Sequence, residues 1–415
     1  MMKLGLIGYP LGHSWSPEIH SFFLKQDCYS LIELKEEELG PFLEKKEFDG
    51  LNVTIPYKQK VIPYLDELDP LAQEAGAVNT IVNQNGRLIG HNTDVEGFRD
   101  MIMAHGIDVK NGKTAVIGDG GVSKAIRCAL KQLGADFCVT SRKHSPGSIT
   151  MQELLDHAPE YACLINATPL GMKPHDELMP ADPSVFDHLK YAVDVIANPL
   201  RTKFLFEAKL KGCVTCGGFE MLVRQAAAAD RWFADKHILE AEILACMKSL
   251  YDQRRSVVLI GMPTSGKTTI AELLAEETGK KRIEMDEVIE AEMGMKICTC
   301  FQERGETYFR DLESSLCYSL KEAMGSVISC GGGVIKRREN MQALAENGLI
   351  LWLDRPVDLL YGSSDRPLSS DREHILSLYQ ERRPYYERYA DVRIENSGSV
   401  GDTLKQIRKA MEETL

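Results

Sequence analysis

The stretch Gly261-Met262-Pro263-Thr264-Ser265-Gly266-Lys267-Thr268-Thr269 carries the residue types that hold a phosphate chain. Gly261, Gly266, Lys267 and Thr268 fit the G-x-x-x-x-G-K-S/T pattern. Glycines let backbone N–H groups curl around phosphate oxygens, and the helix that follows offers its positive end. Lys267 then reaches the β/γ-phosphates and the Thr268 hydroxyl ligates Mg²⁺. Ser265 and Thr269 complete the nucleotide-binding set, and ATP is the expected donor. The apolar run Val257–Ile260 before the loop reads as a buried strand. Ile270–Ala275 reads as the helix after it.

A second glycine loop, Gly118-Asp119-Gly120-Gly121, lies between the strand-like Lys113–Ile117 and a helix over 126–133. That is a dinucleotide-binding βαβ unit, with Gly118 for the turn and Gly120 and Gly121 for close approach of a pyrophosphate. The next strand, Asp136–Thr140, ends in Ser141-Arg142-Lys143 rather than an acid. Basic residues there suit a 2′-phosphate, so NADP(H) is expected over NAD. Leu164–Met172, with Thr168 and Met172, reads as a strand ending in a ligand loop.

Three polar clusters precede these loops. Gly8–Pro17 carries Ser14 and Ser16, although Ser16 before Pro17 would also cap a helix. Asn52 and Thr54 share one face of a strand read over 51–55, and Lys58 follows Pro56. Asn79-Thr80 is followed by His91-Asn92-Thr93-Asp94. Amides, hydroxyls, one Lys and one Asp at strand ends suit a polyhydroxylated carboxylate.

Strands must alternate with helices to place these groups. Helices are read at 18–25, 36–46, 58–65, 70–75, 220–232 and 238–250, which makes the fold α/β with mostly parallel sheets. At 415 residues the chain has room for two or three domains. Its net charge of −12 argues against nucleic acid or a membrane surface as partner. Eleven scattered cysteines fit reduced core thiols in a cytoplasm. Cys213-x-x-Cys216, Cys298 and Cys300 are read as core.

Taken together, residues 1–250 resemble shikimate dehydrogenase through Gly8–Pro17, Asn52–Lys58, Ala75–Asn79, Asn92–Asp94, Gly118–Ala125, Asn166–Met172 and Met221–Gln225. Residues 256–415 resemble shikimate kinase through the phosphate loop, Asp286, Phe309-Arg310 with Glu313, Gly331–Gly333, Arg366-Pro367-Leu368 and Arg382 in Arg-x-Pro-x-Tyr. The resemblance implies a shikimate-binding domain at 1–98 with helices at about 219–250, and a Rossmann-type NADP domain at 99–218. A short linker at 251–255 and a P-loop kinase domain with a parallel sheet at 256–415 would follow. It also implies two consecutive reactions: NADPH-dependent reduction of 3-dehydroshikimate, then phosphorylation of shikimate by ATP with Mg²⁺.

Roles follow from the same resemblance. Ser14, Ser16, Asn52, Thr54, Asn79 and Gln225 would hold shikimate, with Lys58 and Asp94 as the catalytic pair. Asp286 would orient the attacking hydroxyl. Arg310 and Arg382 would grip the carboxylate, and Gly331, Gly332 and Gly333 would approach the ring. Lys267 and Arg366 would stabilise the transferring phosphoryl, Thr268 would bind Mg²⁺, and Glu284 would reach the ion through water. Arg310 also has the plainer option of a helix ion pair with Glu313.

The chain departs from the family at several positions. Glu284 replaces an Asp, Ala197 a Tyr and Asp119 an Ala. The lid read over 359–367 is short, with Gly362 where an adenine-facing Arg is usual. Thr264 stands where Gly is usual, and a β-branched residue is strained if that position needs positive φ. Two rival readings follow: a shikimate or quinate dehydrogenase joined to an impaired kinase-like module, and a first half using NAD.

Overall fold

The computed structural model describes residues 2–12, 14–142, 145–360 and 372–414. The chain divides into two compact units, Met1–Met247 and Lys248–Leu415.

The first unit holds two sheets. One contains β1 (Leu4–Gly8), β2 (Tyr29–Glu33), β3 (Gly50–Val53), β4 (Glu67–Leu68), β5 (Thr80–Gln84) and β6 (Arg87–His91), ordered β2-β1-β3-β5-β6-β4. β1 is parallel to β2 and β3, whereas β5 runs antiparallel to β3 and β6. The β5–β6 hairpin turns on Asn85 and Gly86, both at positive φ, the chemistry that a two-residue turn matching strand twist requires. Asn52 and Asn79 are placed side by side because β3 and the approach to β5 are neighbours.

The helix read over 58–65 is absent. Pro63 has no N–H to donate, and only the 3-10 turn Ile62–Tyr64 forms. The strand read over 51–55 ends at Val53, although the Thr54 N–H still donates to the Ile7 carbonyl at 2.9 Å.

The second sheet is wholly parallel: β7 (Lys113–Ile117), β8 (Phe137–Thr140), β9 (Tyr161–Asn166), β10 (Tyr191–Asp194) and β11 (Val214–Cys216), ordered β11-β10-β9-β7-β8. β7 is the point where strand order reverses, and ligands bind beyond the carboxyl ends of strands at such a point. The helices Thr93–Ala104 and Gly218–Ala234 pack closely together. Gly97 permits this approach, since a Cβ there would lie 2.8 Å from Gln225 Cβ. Thr93–Ala104 runs through the boundary expected at 98/99. Phe98 and Met101 from it are buried with Val116, Ile165 and Val193 of the second sheet.

The second unit has one parallel sheet: β12 (Ser256–Ile260), β13 (Lys281–Glu284), β14 (Ser326–Ser329), β15 (Gly348–Asp354) and β16 (Val392–Glu395), ordered β13-β14-β12-β15-β16. Val257, Leu259, Leu349, Leu351 and Leu353 pack under the helix Lys267–Thr278 through Ile270 and Leu274. The expected linker at 251–255 is not extended chain. Tyr251–Arg254 are the last turn of the helix Glu240–Arg254, whose Leu250 is buried. Within the expected lid at 359–367, a 3-10 turn at Val357–Leu359 leads to Leu360, and 361–367 lie outside the described residues.

Candidate active sites

In the first unit a cavity of about 240 Å³ gathers Ser14, Ser16, Asn52, Thr54, Lys58, Asn79, Asp94 and Gln225. Val122, Val195 and Ala197 from the second sheet's side close it. Asp94 stands in the first turn of Thr93–Ala104, and Lys58 in the turn after Pro56. Lys58 Nζ donates to Asp94 Oδ2 at 2.6 Å, with side chains only 15% and 9% exposed. Such a pair holds an ammonium at a fixed point on the cavity wall. Asn79 is anchored by its Oδ1, which accepts from the Thr93 N–H at 2.7 Å, and its Nδ2 donates to Gln225 Oε1 at 3.2 Å. Ser14 and Ser16 hydroxyls lie 3.2 Å apart.

A supporting layer behind this wall has no motif in the sequence. Tyr29 donates to Asn52 Oδ1 at 2.8 Å, and Asn52 Nδ2 donates to Thr80 Oγ1 at 3.1 Å. The Tyr29 ring stacks on His20 at 4.2 Å, and His20 Nδ1 lies 2.6 Å from Asp230 Oδ1, both side chains fully buried.

At the dinucleotide loop Gly118 has φ +108, and a Cβ there would lie 2.7 Å from Thr168 Cγ2. Gly120 opens to a space where an added Cβ meets nothing within 4 Å. Gly121 begins the helix Gly121–Gln132, whose N–H groups face that space. This bare cradle at a helix start fits a pyrophosphate. Asp119, unhelpful to an anion in isolation, lies 3.4 Å from Arg127 Nη1. Ser141 Oγ lies 3.2 Å from Ser145 Oγ, Arg142 is exposed, and Lys143 lies outside the described residues. Thr168 donates to Asn166 Oδ1 at 2.7 Å, and Met172 is exposed at the end of the same loop.

Asn166 in turn donates to Asp194, which also accepts from the Thr202 hydroxyl at 2.7 Å and the Ile196 N–H at 3.0 Å. Burial pushes the Asp194 carboxyl up to about 6 despite these three donors. Cys216 has His105 and Glu220 within 4.8 Å, company that its sequence context does not reveal. His105 Nε2 is already 2.6 Å from Glu220, whose other oxygen accepts from Arg224 at 2.7 Å, so the cluster is an ion-pair network. Of the eleven cysteines nine are buried. Cys298, read as core, is exposed because it points out from the helix Ile297–Glu303.

In the second unit three consecutive glycines assemble the site. A Cβ on Gly331 would lie 2.8 Å from Asp286 Oδ1 and 3.1 Å from Glu313 Oε1. One on Gly332 would lie 2.8 Å from Arg382 Nη1, and one on Gly333 would collide with the Arg310 guanidinium. Asp286, Arg310 and Arg382 therefore converge on one bare stretch of backbone. Arg310 donates to Glu313 Oε2 at 2.8 Å, so the helix ion pair forms while the guanidinium still borders Gly333. Burial raises the Glu313 pKa, and Arg310 opposes the shift. Arg382 is buried, and its Nε has no partner among the described residues. Arg366 lies outside them.

Beside this stretch Lys267 Nζ donates to the carbonyls of Gly261 at 3.0 Å and Met262 at 2.8 Å. Gly266 (φ +86) caps the helix Lys267–Thr278, and Thr268 and Thr269 are exposed in its first turn. Asn396, which the sequence reading missed, donates to the Ser265 carbonyl at 2.6 Å and is held by Thr403 at 2.8 Å. The buried Ser265 Oγ here lacks a partner among the described residues. Burial raises the Glu284 pKa and Asp286 adds to it, while the Ser329 and Thr268 hydroxyls and Lys267 oppose. A buried carboxylate beside the Thr268 hydroxyl is an oxygen donor set that fits a hard cation such as Mg²⁺.

The first unit thus has the fold and cavity of a dinucleotide-dependent dehydrogenase, and the second has the parallel sheet and phosphate loop of a P-loop kinase. Family models match at residues 6–81, described as the shikimate dehydrogenase substrate binding domain, and at 263–412, described as shikimate kinase. The NADP(+)-type shikimate dehydrogenase of Carboxydothermus hydrogenoformans is 38% identical over 252 residues, covering 55% of this chain and 90% of that protein. Among solved structures, a chorismate mutase/shikimate 5-dehydrogenase fusion protein from Clostridium acetobutylicum is similar at 34% identity and TM-score 0.57, covering 60% of this chain and 97% of that one. The shikimate 5-dehydrogenase of Thermus thermophilus, solved with NADP(H) and shikimate, is similar at 32% identity and TM-score 0.55, covering 60% and 99%. The chain belongs to the shikimate dehydrogenase family and carries a shikimate kinase domain fused behind it.

Proposed function

We propose that this protein is a bifunctional enzyme of the shikimate pathway. It reduces 3-dehydroshikimate to shikimate with NADPH and phosphorylates shikimate to shikimate 3-phosphate with ATP and Mg²⁺. The observation that carries the reading is the presence, in one chain, of the Lys58–Asp94 pair on a cavity lined by hydroxyls and amides and of Asp286, Arg310 and Arg382 around Gly331–Gly333.

In the first reaction the hydroxyls and amides of Ser14, Ser16, Asn52, Thr54, Asn79 and Gln225 hold the substrate's carboxylate and hydroxyls. NADPH, when bound at Gly118–Gly121 with Arg142 towards its 2′-phosphate, supplies the hydride. Lys58 gives a proton from Nζ to the carbonyl oxygen, and Asp94 holds that ammonium in place. In the second reaction Arg310 and Arg382 bind the carboxylate. Asp286 orients the 3-hydroxyl and accepts its proton. Lys267 offsets charge on the transferring phosphoryl; Thr268, with Glu284 through water, would hold Mg²⁺, which would neutralise phosphate charge.

The NADP domain in this reading is the five-stranded sheet with its helices, and the shikimate-binding domain is the rest of the first unit. No described helix is long and apolar enough to cross a membrane. Together with the buried thiols and the charge of −12, this supports a cytoplasmic enzyme whose partners are small anions rather than nucleic acid or lipid. One assay decides the main reading: 3-dehydroshikimate, NADPH and MgATP are mixed with the protein and shikimate 3-phosphate is measured. Shikimate accumulating with no phosphate ester would leave only a dehydrogenase beside an impaired kinase-like module.

A further inference from the structure

The phosphate loop contains a β-branched residue in a conformation such residues avoid. Thr264 has φ +66. A branched Cβ in the left-handed region persists only where its surroundings over-determine it. The surroundings here are specific. Thr264 Oγ1 donates to the Leu360 carbonyl at 2.7 Å. Leu360 is fully buried, and its own N–H donates to the Val357 carbonyl, which closes the turn after β15. The hydroxyl therefore ties the middle of the nucleotide loop to a fixed point 96 residues away.

The neighbours of Thr264 are fixed as well. Pro263 Cδ lies 3.1 Å from where a Cβ on Gly332 would stand, so the loop abuts the substrate glycines. Asn396 holds the Ser265 carbonyl, and the Ser265 N–H donates to the Met262 carbonyl at 3.2 Å. Between these points only the Thr264 φ and ψ are left to decide which way the flanking peptide N–H groups face. With the hydroxyl bond gone, the branched side chain favours return to negative φ, which would rotate those N–H groups.

We propose that Thr264 is a positioning residue for ATP, whose hydroxyl bond to Leu360 holds the nucleotide loop in its phosphate-facing form. This rests on the kinase reading above. The test uses the full chain with Thr264→Val, Thr264→Ser and Thr264→Gly, and measures KM for ATP and for shikimate separately. Val keeps the shape and removes the donor; it is expected to raise KM for ATP about tenfold, the effect of a lost hydrogen bond at about 1.4 kcal/mol. Ser keeps the donor and is expected to stay within about twofold of the parent. Gly relieves the strain but loses the tether, and is expected to fall between them, so it serves if Val does not fold. KM for shikimate should stay unchanged throughout, whereas a merely misfolded fraction would lower kcat and leave both KM values alone. Val and Ser behaving alike, or Gly matching the parent in KM for ATP, would overturn the proposal. A parent chain with no shikimate-dependent ATP turnover would instead overturn the kinase reading itself.

Discussion

Lys58 and Asp94 show how much a single pair can carry. Replacing Lys58 by Met removes the proton donor and leaves Asp94, nearly buried, without its cation. The dehydrogenase kcat is expected to fall about 10²–10⁴-fold, with a much smaller change in KM for shikimate, in a steady-state assay. Both residues stood out in the sequence as polar groups at strand ends, and the structure brings them to one cavity wall with the hydroxyls and amides; their pairing came from the family resemblance. The layer behind them was not legible. His20 and Asp230 are 210 positions apart, and each reads alone as a polar residue in an amphipathic helix. Arg310 was read with two options, and the structure shows the ion pair with Glu313 while leaving the guanidinium beside Gly333.

At the scale of elements, glycines set the distances. Ala at Gly97 would drive the helices Thr93–Ala104 and Gly218–Ala234 apart, since the new Cβ would meet Gln225 Cβ at 2.8 Å. Overpacking of this kind costs about 1–3 kcal/mol. The expected outcome is a lower midpoint of thermal unfolding for the first unit and a raised KM for shikimate, because Gln225 and Asn79 would part. Ala at Gly331 would press on Asp286 instead. Kinase kcat should drop by about 10²-fold through misplacement of the reacting hydroxyl, with KM for ATP nearly unchanged. The periodic strands around both glycine loops were readable from their apolar runs. The helix expected at 58–65 failed on one Pro, and β2 was missed because in Tyr29–Glu33 only Tyr29 is buried, while three residues are exposed and Ile32 is half-buried, which dilutes the pattern. The glycine triplet could be noted in the sequence, but not that three different side chains would meet it.

At the scale of the molecule, the two activities are expected to be separable. Lys267→Met should abolish ATP turnover with shikimate while NADPH oxidation with 3-dehydroshikimate continues at the parent rate. Stability of the first unit should depend on Asp194. Its folded pKa of about 6 exceeds the ordinary 3.8, so the folded state keeps a proton that the unfolded chain gives up. Stability is therefore greatest below about pH 4 with respect to this group, and falls by about 3 kcal/mol as pH rises to about 6. Urea unfolding across that window, compared with Asp194→Asn, should show the slope in the parent and a flatter line in the variant. The junction between the units has a practical consequence of its own. Proteases nick exposed, extended chain. The unit boundary falls at Met247/Lys248, inside the helix Glu240–Arg254, and β12 begins at Ser256. The basic pair Arg254-Arg255 looks in the sequence like an inviting trypsin site, yet it sits where a helix ends and a buried strand is about to start. Brief digestion should spare it, and liberating either enzyme from the other calls for a recombinant cut rather than a proteolytic one.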